Sequence, residues 1–358
     1  MAIPQRHPPR WRLSGRLRQR EESPRSRHPL HTNFKLERNG EFLALVLPDG
    51  TNIVSAFSPA YPAQFENISY GRDRIDPSVL AYFSTPTPGA LNSATAAGLG
   101  VGPAIRYSRA SGTFRTPFSV ELSLEPVPSA TNFVIRYYLV TNATTAAATD
   151  VPSASSPLYT GPIPVTASTQ IRARAYPPTT GFYPGPASSE TYLQIDAAAA
   201  AFTSDLPVVL FYNFGGGIPG ATFTSAGVVG VFMAWDTNNP TGLTSLTNRP
   251  VLVTRAGSHI RGSSTESYDK RNLAIETWTE VNREDKDVEV LGMPADSDWV
   301  LYAPNQFDRN YLHNPVAMEL GRQMGHYASR TRLAEFFFNT IGGAITYPGG
   351  PGTTHSGY

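Results

Sequence analysis

Alternating apolar and polar residues predict β-strands along most of the chain. The alternation is clearest at residues 133–139, 169–176 and 272–278, where apolar residues recur at alternate positions. Residues 206–211 and 226–235 are instead continuously apolar, which is typical of strands buried on both faces. This pattern predicts a mainly β protein.

Turn residues divide the first strands. Residues 34–36, 42–47 and 52–57 alternate, and Asn39-Gly40 and Pro48-Asp49-Gly50 separate them. Asn-Gly and Asp-Gly pairs accept positive φ, so both separations predict hairpin turns. Further strands are predicted at four places, and these are residues 118–122, 190–193, 251–261 and 299–302.

One helix is predicted, at residues 314–327, before a last strand at 333–338. Asn314 is a candidate N-cap, Pro315 would take the first helical position, and Gly325 would end the helix. Apolar residues recur at helical spacing between these signals: Val316, Leu320 and Met324.

The composition of the chain excludes several kinds of functional site. The 358 residues suffice for two or three domains, and the formal net charge of +1 gives no bulk electrostatic reason to bind nucleic acid. The chain has no cysteine, which excludes disulfides, zinc-thiolate sites and thiol nucleophiles. The seven histidines show no zinc-binding spacing, and no apolar run is long enough to span a membrane.

The first 28 residues are rich in arginine and are predicted to be disordered. No apolar segment follows the basic residues, so no signal peptide is predicted. A solvated tail or a wrongly set start of the coding frame is the plain interpretation. A nucleic-acid- or membrane-binding arm is the functional alternative.

The second half of the chain contains five short sequence blocks that together suggest a family. In order they are Arg261-Gly262-Ser263-Ser264, Leu291-Gly292-Met293-Pro294, Ser297-Asp298-Trp299-Val300-Leu301, Arg309-Asn310-Tyr311 and Met324-Gly325. Together they resemble the CotH kinase family, atypical kinases of spore coats and bacterial surface proteins. The resemblance implies transfer of phosphate from ATP, with Mg or Mn, to protein side chains.

The resemblance also implies site residues. Lys270 is the candidate phosphate-binding lysine and Glu319 its partner, while Arg261, Ser263 and Ser264 would line the nucleotide mouth. A second set has two interpretations, in which Arg309 and Arg322 either bind phosphate or pair with Glu319 and Glu335.

The chain departs from the family downstream. In the family the catalytic and metal-binding acids follow the helix, but no acidic residue follows Asn339 here. Phosphoryl transfer depends on metal-assisted charge neutralisation. We therefore expect this chain to be inactive as a kinase on its own, and no catalytic or metal-binding residue is assigned.

Two weaker resemblances concern the first half. Residues 30–81 look like the closing half of a lamin-tail β-sandwich, and 108–196 resemble chitobiase C-terminal or fibronectin-associated domains. The remaining boundaries follow from these: a basic arm at 1–29, a linker at 82–107, a partial CotH-like lobe at 197–345 and a disordered tail at 346–358.

Other groupings favour structural roles. Gly215-Gly216-Gly217 lacks the Lys-Ser/Thr of a phosphate-binding loop, so a plain connection is the better interpretation. The charged residues at 284–289 indicate an exposed turn rather than a cation site.

The sequence thus predicts a mainly β, multidomain chain, in which two β-sandwich-like modules precede a partial α+β atypical-kinase N-lobe. Its function would be that of a piece of an extracellular or surface CotH-like protein kinase. The alternative is a non-catalytic surface protein for adhesion or polysaccharide binding. A third interpretation is a broken gene product without a function of its own.

Overall fold

The computed structural model describes residues 36–65, 68–92, 98, 100–126, 132–148, 151–178, 181–220, 227–262, 268, 270–281, 283–303, 308, 310–349 and 353–357. The strand predicted at 34–36 and the basic arm lie almost entirely outside them. Two compact units are present: residues 1–102 with 179–184, and residues 103–178 with 185–358.

Strands dominate both units. Before the first long apolar run they are β1 (Leu43–Val46), β2 (Ile53–Phe57), β3 (Ser69–Arg72), β4 (Leu80–Phe83), β5 (Gly100–Val101), β6 (Ile105–Tyr107), β7 (Gly112–Phe114), β8 (Phe118–Val120), β9 (Leu122–Leu124), β10 (Val134–Val140), β11 (Ile163–Val165), β12 (Thr169–Tyr176), β13 (Phe182–Tyr183), β14 (Ser188–Gln194) and β15 (Thr203–Ser204). They continue with β16 (Val208–Tyr212), β17 (Val228–Trp235), β18 (Thr244–Ser245), β19 (Leu252–Arg261), β20 (Asn272–Trp278), β21 (Asp298–Leu301), β22 (Glu335–Asn339) and β23 (Thr353–Gly357).

The described residues form three helices: α1 (Ala143–Ala148), α2 (Ala197–Ala201) and α3 (His313–Gln323). No helix in these ranges is long and apolar enough to cross a membrane. The prediction of a mainly β chain with more than one compact unit is therefore confirmed.

The first unit consists of short antiparallel pairs. β1 pairs with β2, β3 pairs with β4, and β13 pairs in parallel with β5. Asp49 shapes the predicted turn between β1 and β2, because its carboxylate accepts from the N–H groups of Thr51 and Asn52 at 2.9 and 3.0 Å. Gly40 has a φ of +103°, and a Cβ there would lie 2.1 Å from the Tyr61 carbonyl oxygen. Only glycine therefore fits at position 40, in the turn that precedes β1.

The second unit begins with a four-stranded sheet in the order β10-β12-β14-β7. β12 is antiparallel to both its neighbours, whereas β14 and β7 run in parallel. Two further pairs, β8 with β11 and β6 with β9, accompany this sheet. The single strand predicted at 118–122 is instead β8 and β9, which lie in different sheets and are separated at Glu121.

The main element of the second unit is a seven-stranded sheet in the order β21-β20-β19-β17-β16-β22-β23. Its pairs are antiparallel except for β16 and β22, which are parallel. The tail predicted to be disordered contributes β23 to this sheet.

Apolar side chains cover both faces of this sheet. One face contributes Leu210, Met233 and Trp235 to a cluster that also contains Val140 and Leu193 of the four-stranded sheet. The other face contributes residues that alternate with these along β16 and β17, and they pack with Val288, Val290 and Leu291. β16 and β17 are therefore central strands, as their continuous apolar sequences predicted.

Candidate nucleotide-binding site

Helix α3 is held at its start by a buried carboxylate. Asp308 is 1% exposed, and its two oxygens accept from the N–H groups of Leu312 (3.3 Å) and His313 (3.0 Å). The His313 Nδ1 atom also lies 3.5 Å from Asp308 Oδ1. The carboxylate satisfies N–H groups that a helix start leaves without partners.

The predicted N-cap at Asn314 is wrong. The cap position is Leu312, and Asn314 and Pro315 lie inside the first turn. Pro315 is tolerated there because first-turn N–H groups have no intrahelical partner. The helix ends at Gln323, and Gly325 follows it with a φ of +82°, so the predicted role of Gly325 as a stop is confirmed.

Lys270 is half-buried between β19 and β20. Its Nζ atom lies 4.7 Å from the centre of the Tyr311 ring, within range of a cation–π interaction. Burial lowers the pKa of the Lys270 ammonium, and the negative charge of Glu335 opposes that shift in part. Lys270 is therefore a partly desolvated cation with an aromatic ring and a carboxylate near it.

Glu319 lies on the exposed side of α3. Its carboxylate accepts from the Arg322 guanidinium and, at 3.1 Å, from Gln323 Nε2. These hydrogen bonds, the one from Arg322 first, lower the pKa of Glu319. The sequence-based alternative in which Arg322 pairs with Glu319 is thus confirmed, while Arg309 lies outside the described residues.

The nucleotide mouth is described only in part. Arg261 is the exposed last residue of β19, opposite Asn272 of β20, and Gly262 follows it with a φ of +96°. Ser263 and Ser264 lie outside the described residues. The structure thus shows where Arg261 ends its strand, and the assignment of all three residues to a nucleotide mouth stays a prediction.

Carboxylates from two strands meet beside the charged turn. Glu276 of β20 is opposite Asp298 of β21, and burial, with a hydrogen bond to Asp285, raises the pKa of Glu276. Within the described ranges, no group of three or more His, Asp or Glu side chains could hold a metal ion.

Sequence reasoning missed Tyr311 and Glu335 as neighbours of Lys270. Glu335 begins β22, and its N–H donates to the Pro207 carbonyl oxygen at 2.8 Å. Because β22 joins the sheet through a strand distant in sequence, no local signal could reveal its proximity to Lys270. Tyr311 belongs to one of the five motif blocks, so the sequence placed it in the family-like stretch. The sequence did not show that its ring contacts Lys270.

Comparison with known proteins supports one of the three resemblances. Residues 259–349 match the protein family described as CotH kinase protein. The CotH resemblance is thereby confirmed for this stretch, whereas the lamin-tail-like and chitobiase-like resemblances stay predictions. No curated protein and no solved structure matches the chain.

Proposed function

We propose that residues 259–349 form the nucleotide-binding part of a CotH-like, kinase-related protein, with Lys270 contacting the phosphates of ATP. The observation that carries this proposal is the family match, which extends from the end of β19 to beyond β22. Kinases act mainly by positioning and charge stabilisation around the transferred phosphate, and a lysine is a recurring part of that arrangement.

The chemistry of Lys270 fits a phosphate ligand. Its half-buried ammonium would donate a charge-assisted hydrogen bond to a phosphate oxygen, and such bonds are stronger where water is partly excluded. Bound ATP would supply the phosphoryl group, while Lys270 would bind and orient the phosphates. Arg261, Ser263 and Ser264 complete the proposed set.

The partner of Lys270 has two candidates. Glu319 was inferred from the family resemblance, but it already binds Arg322 and Gln323. Glu335 is the acid whose charge acts on Lys270. Comparing Glu319→Gln with Glu335→Gln decides between them, because only loss of the true partner should weaken nucleotide binding.

Calorimetric titration of the full chain with ATP tests the proposal. Lys270→Ala should weaken ATP binding about tenfold or more, the usual effect of removing a charged hydrogen bond. Lys286→Ala is the matched control, because Lys286 belongs to the charged turn at 284–289 and not to the proposed set; it should leave the affinity within about twofold. Equal affinity of Lys270→Ala and the unaltered chain would contradict the role of Lys270.

Protein substrates, Mg or Mn, and an extracellular or surface location are further parts of the proposal, implied by the family. No described residue is named as a metal ligand. Incubation with labelled ATP and Mg or Mn tests the expected inactivity of this chain alone. Steady phosphate incorporation into any protein would contradict that expectation.

A further inference from the structure

A polar cavity lies in the second unit, and Lys270 is not among the residues that line it. Its volume is about 260 Å³, and its lining includes Gln170 and Glu190 from the four-stranded sheet. Arg249, Arg255 and Glu280, from around β19 and β20, line it as well. The cavity therefore combines both signs of charge where the two sheets meet.

The register of the four-stranded sheet explains why the cavity is polar. Gln170 is opposite Thr191 and Arg172 is opposite Ser189 on one face of β12 and β14. Leu193 continues this face along β14 and is buried in the apolar cluster with the seven-stranded sheet. The interface between the sheets thus changes from apolar to polar along a single strand, and the cavity opens at its polar end.

One acid of the lining is neutralised inside the protein. Glu280 Oε2 lies 3.3 Å from Nη2 of Arg172, whose side chain is 2% exposed. The Ser189 hydroxyl lies 3.0 Å from both oxygens of the same carboxylate. Glu280 is therefore part of a closed internal network, which leaves it little capacity for a ligand.

The other acid, Glu190, is held by neutral donors. Its Oε2 accepts from the backbone N–H of Ser111 at 2.6 Å and from the Ser111 hydroxyl. Within the described part of the chain, Oε1 of Glu190 accepts no hydrogen bond and no cation pairs with the carboxylate. Half-buried carboxylates are stabilised by a positive partner, so this oxygen is suited to a cationic ligand group.

Arg249 supplies the complementary charge. It lines the cavity with an exposed side chain, and its guanidinium makes no hydrogen bond or ion pair with the described residues. A guanidinium binds a carboxylate through two parallel hydrogen bonds. The buried Gln170 amide donates to Thr191 Oγ1 at 2.9 Å and is therefore part of the cavity wall.

We propose that this cavity binds a small zwitterion bearing a carboxylate and an ammonium group, the chemistry of a free α-amino acid. Arg249 binds the carboxylate, and Glu190 binds the ammonium. The cavity is smaller than the roughly 300–1,000 Å³ of pockets for drug-sized ligands, so a single amino acid fits its scale better than a peptide. A neutral polyol would leave both charges without partners.

Calorimetry on the full chain with L-alanine, L-glutamate and L-lysine tests this proposal. We expect saturable binding of at least one of them. Its N-acetyl and methyl-ester derivatives, which each lack one charge, should bind about tenfold or more weakly, as expected for loss of a charged hydrogen bond. Glucose serves as the neutral polyol and should not bind.

Variants assign the two charges. Arg249→Gln and Glu190→Gln should each weaken binding about tenfold or more. Arg106→Gln is the control, because exposed Arg106 pairs with Glu125 and does not line the cavity; it should leave the affinity within about twofold.

Three results would overturn the proposal. The first is no binding of any of the three amino acids up to about 10 mM, roughly ten times a weak Kd of about 1 mM. The others are equal binding of the charge-deleted derivatives and preference for glucose. If circular dichroism shows that Glu190→Gln misfolds, the exposed Arg249 variant and the ligand series decide alone.

Discussion

Strand β16 was predicted from a continuous apolar run and helix α3 from apolar residues at helical spacing, yet the two elements bury those residues very differently. All five residues of β16 are buried. Helix α3 has no buried residue. Its Val316 and Leu320 are 50% and 53% exposed, and Met324, directly after its last residue, is 72% exposed. The pattern of apolar residues therefore identifies the element, whereas burial depends on which other parts of the chain pack against it.

The two elements are consequently stabilised by different interactions. β16 lies between β17 and β22, and apolar clusters cover both its faces. α3 is held by polar contacts near its ends, from Asp308 at its start and from Arg322, whose guanidinium donates to the Ser329 carbonyl oxygen, at its end. Four predictions test this difference.

Truncating a buried aromatic residue of the sheet should have the largest effect. Phe337 of β22 is fully buried, and its ring centre lies 5.2 Å from that of Phe202. Phe337→Ala should lower the free energy of unfolding of the second unit by about 3–5 kcal/mol, because it leaves a cavity. Urea denaturation followed by circular dichroism measures this.

Tyr327, just after α3, provides the control for Phe337. It is 98% exposed, so Tyr327→Ala should change the free energy of unfolding by less than about 0.5 kcal/mol. Similar losses of unfolding free energy for the two variants would contradict the conclusion that the sheet, but not the region of α3, is stabilised by buried side chains.

A methyl group added to the centre of the sheet should have the next largest effect. A Cβ at Gly230 of β17 would lie 2.5 Å from the Tyr212 carbonyl oxygen and 2.7 Å from the Phe211 ring. Gly230→Ala should therefore cost about 1–3 kcal/mol through overpacking. Gly161→Ala is the matched control, since a Cβ there meets nothing within 4 Å; thermal unfolding should separate the two variants clearly.

Removing the carboxylate that accepts hydrogen bonds at the start of α3 should have a smaller, local effect. Asp308→Ala deprives the N–H groups of Leu312 and His313 of their acceptor and should cost about 0.5–2 kcal/mol. Hydrogen exchange at these two amides should become faster. Asn314→Ala should leave both rates unchanged, and the reverse result would restore Asn314 as the cap.

Polar substitution on α3 should have the smallest effect. Leu320→Gln replaces a half-exposed apolar side chain with a polar one of similar length and helix propensity. The free energy of unfolding should change by less than about 0.5 kcal/mol, as for other exposed positions. A loss comparable to that of Phe337→Ala would show that the apolar positions of α3 are covered in solution.

Local sequence predicted individual strands well. Residues 169–176 and 272–278 were predicted with the observed bounds of β12 and β20. Apolar residues recur at alternate positions in both strands, and clear turn or loop residues flank them. The start of α3 was missed because Asp308 acts from outside the helix, whereas Asn314 followed by Pro315 imitates a local cap.

Sheet order could not be predicted in the same way. The parallel pairing of β16 with β22 aligns Val208 with Glu335, so it depends on packing between distant segments. The candidate site shows the same limit. Motifs identified Lys270, but the charge of Glu335 reaches it only through the folded sheet. The roles of Arg261, Ser263, Ser264, Lys270 and Glu319 in nucleotide binding stay predictions.

The pairing of β16 with β22 also has a consequence for biosynthesis. As the chain leaves the ribosome, β16 emerges long before β22. One edge of β16 therefore stays unpaired until β22 has been translated. β16 is apolar along its whole length, and an open apolar edge invites pairing with other nascent chains. Slow translation between these strands would prolong that exposure, and a chaperone that shields β16 should raise the yield of folded protein.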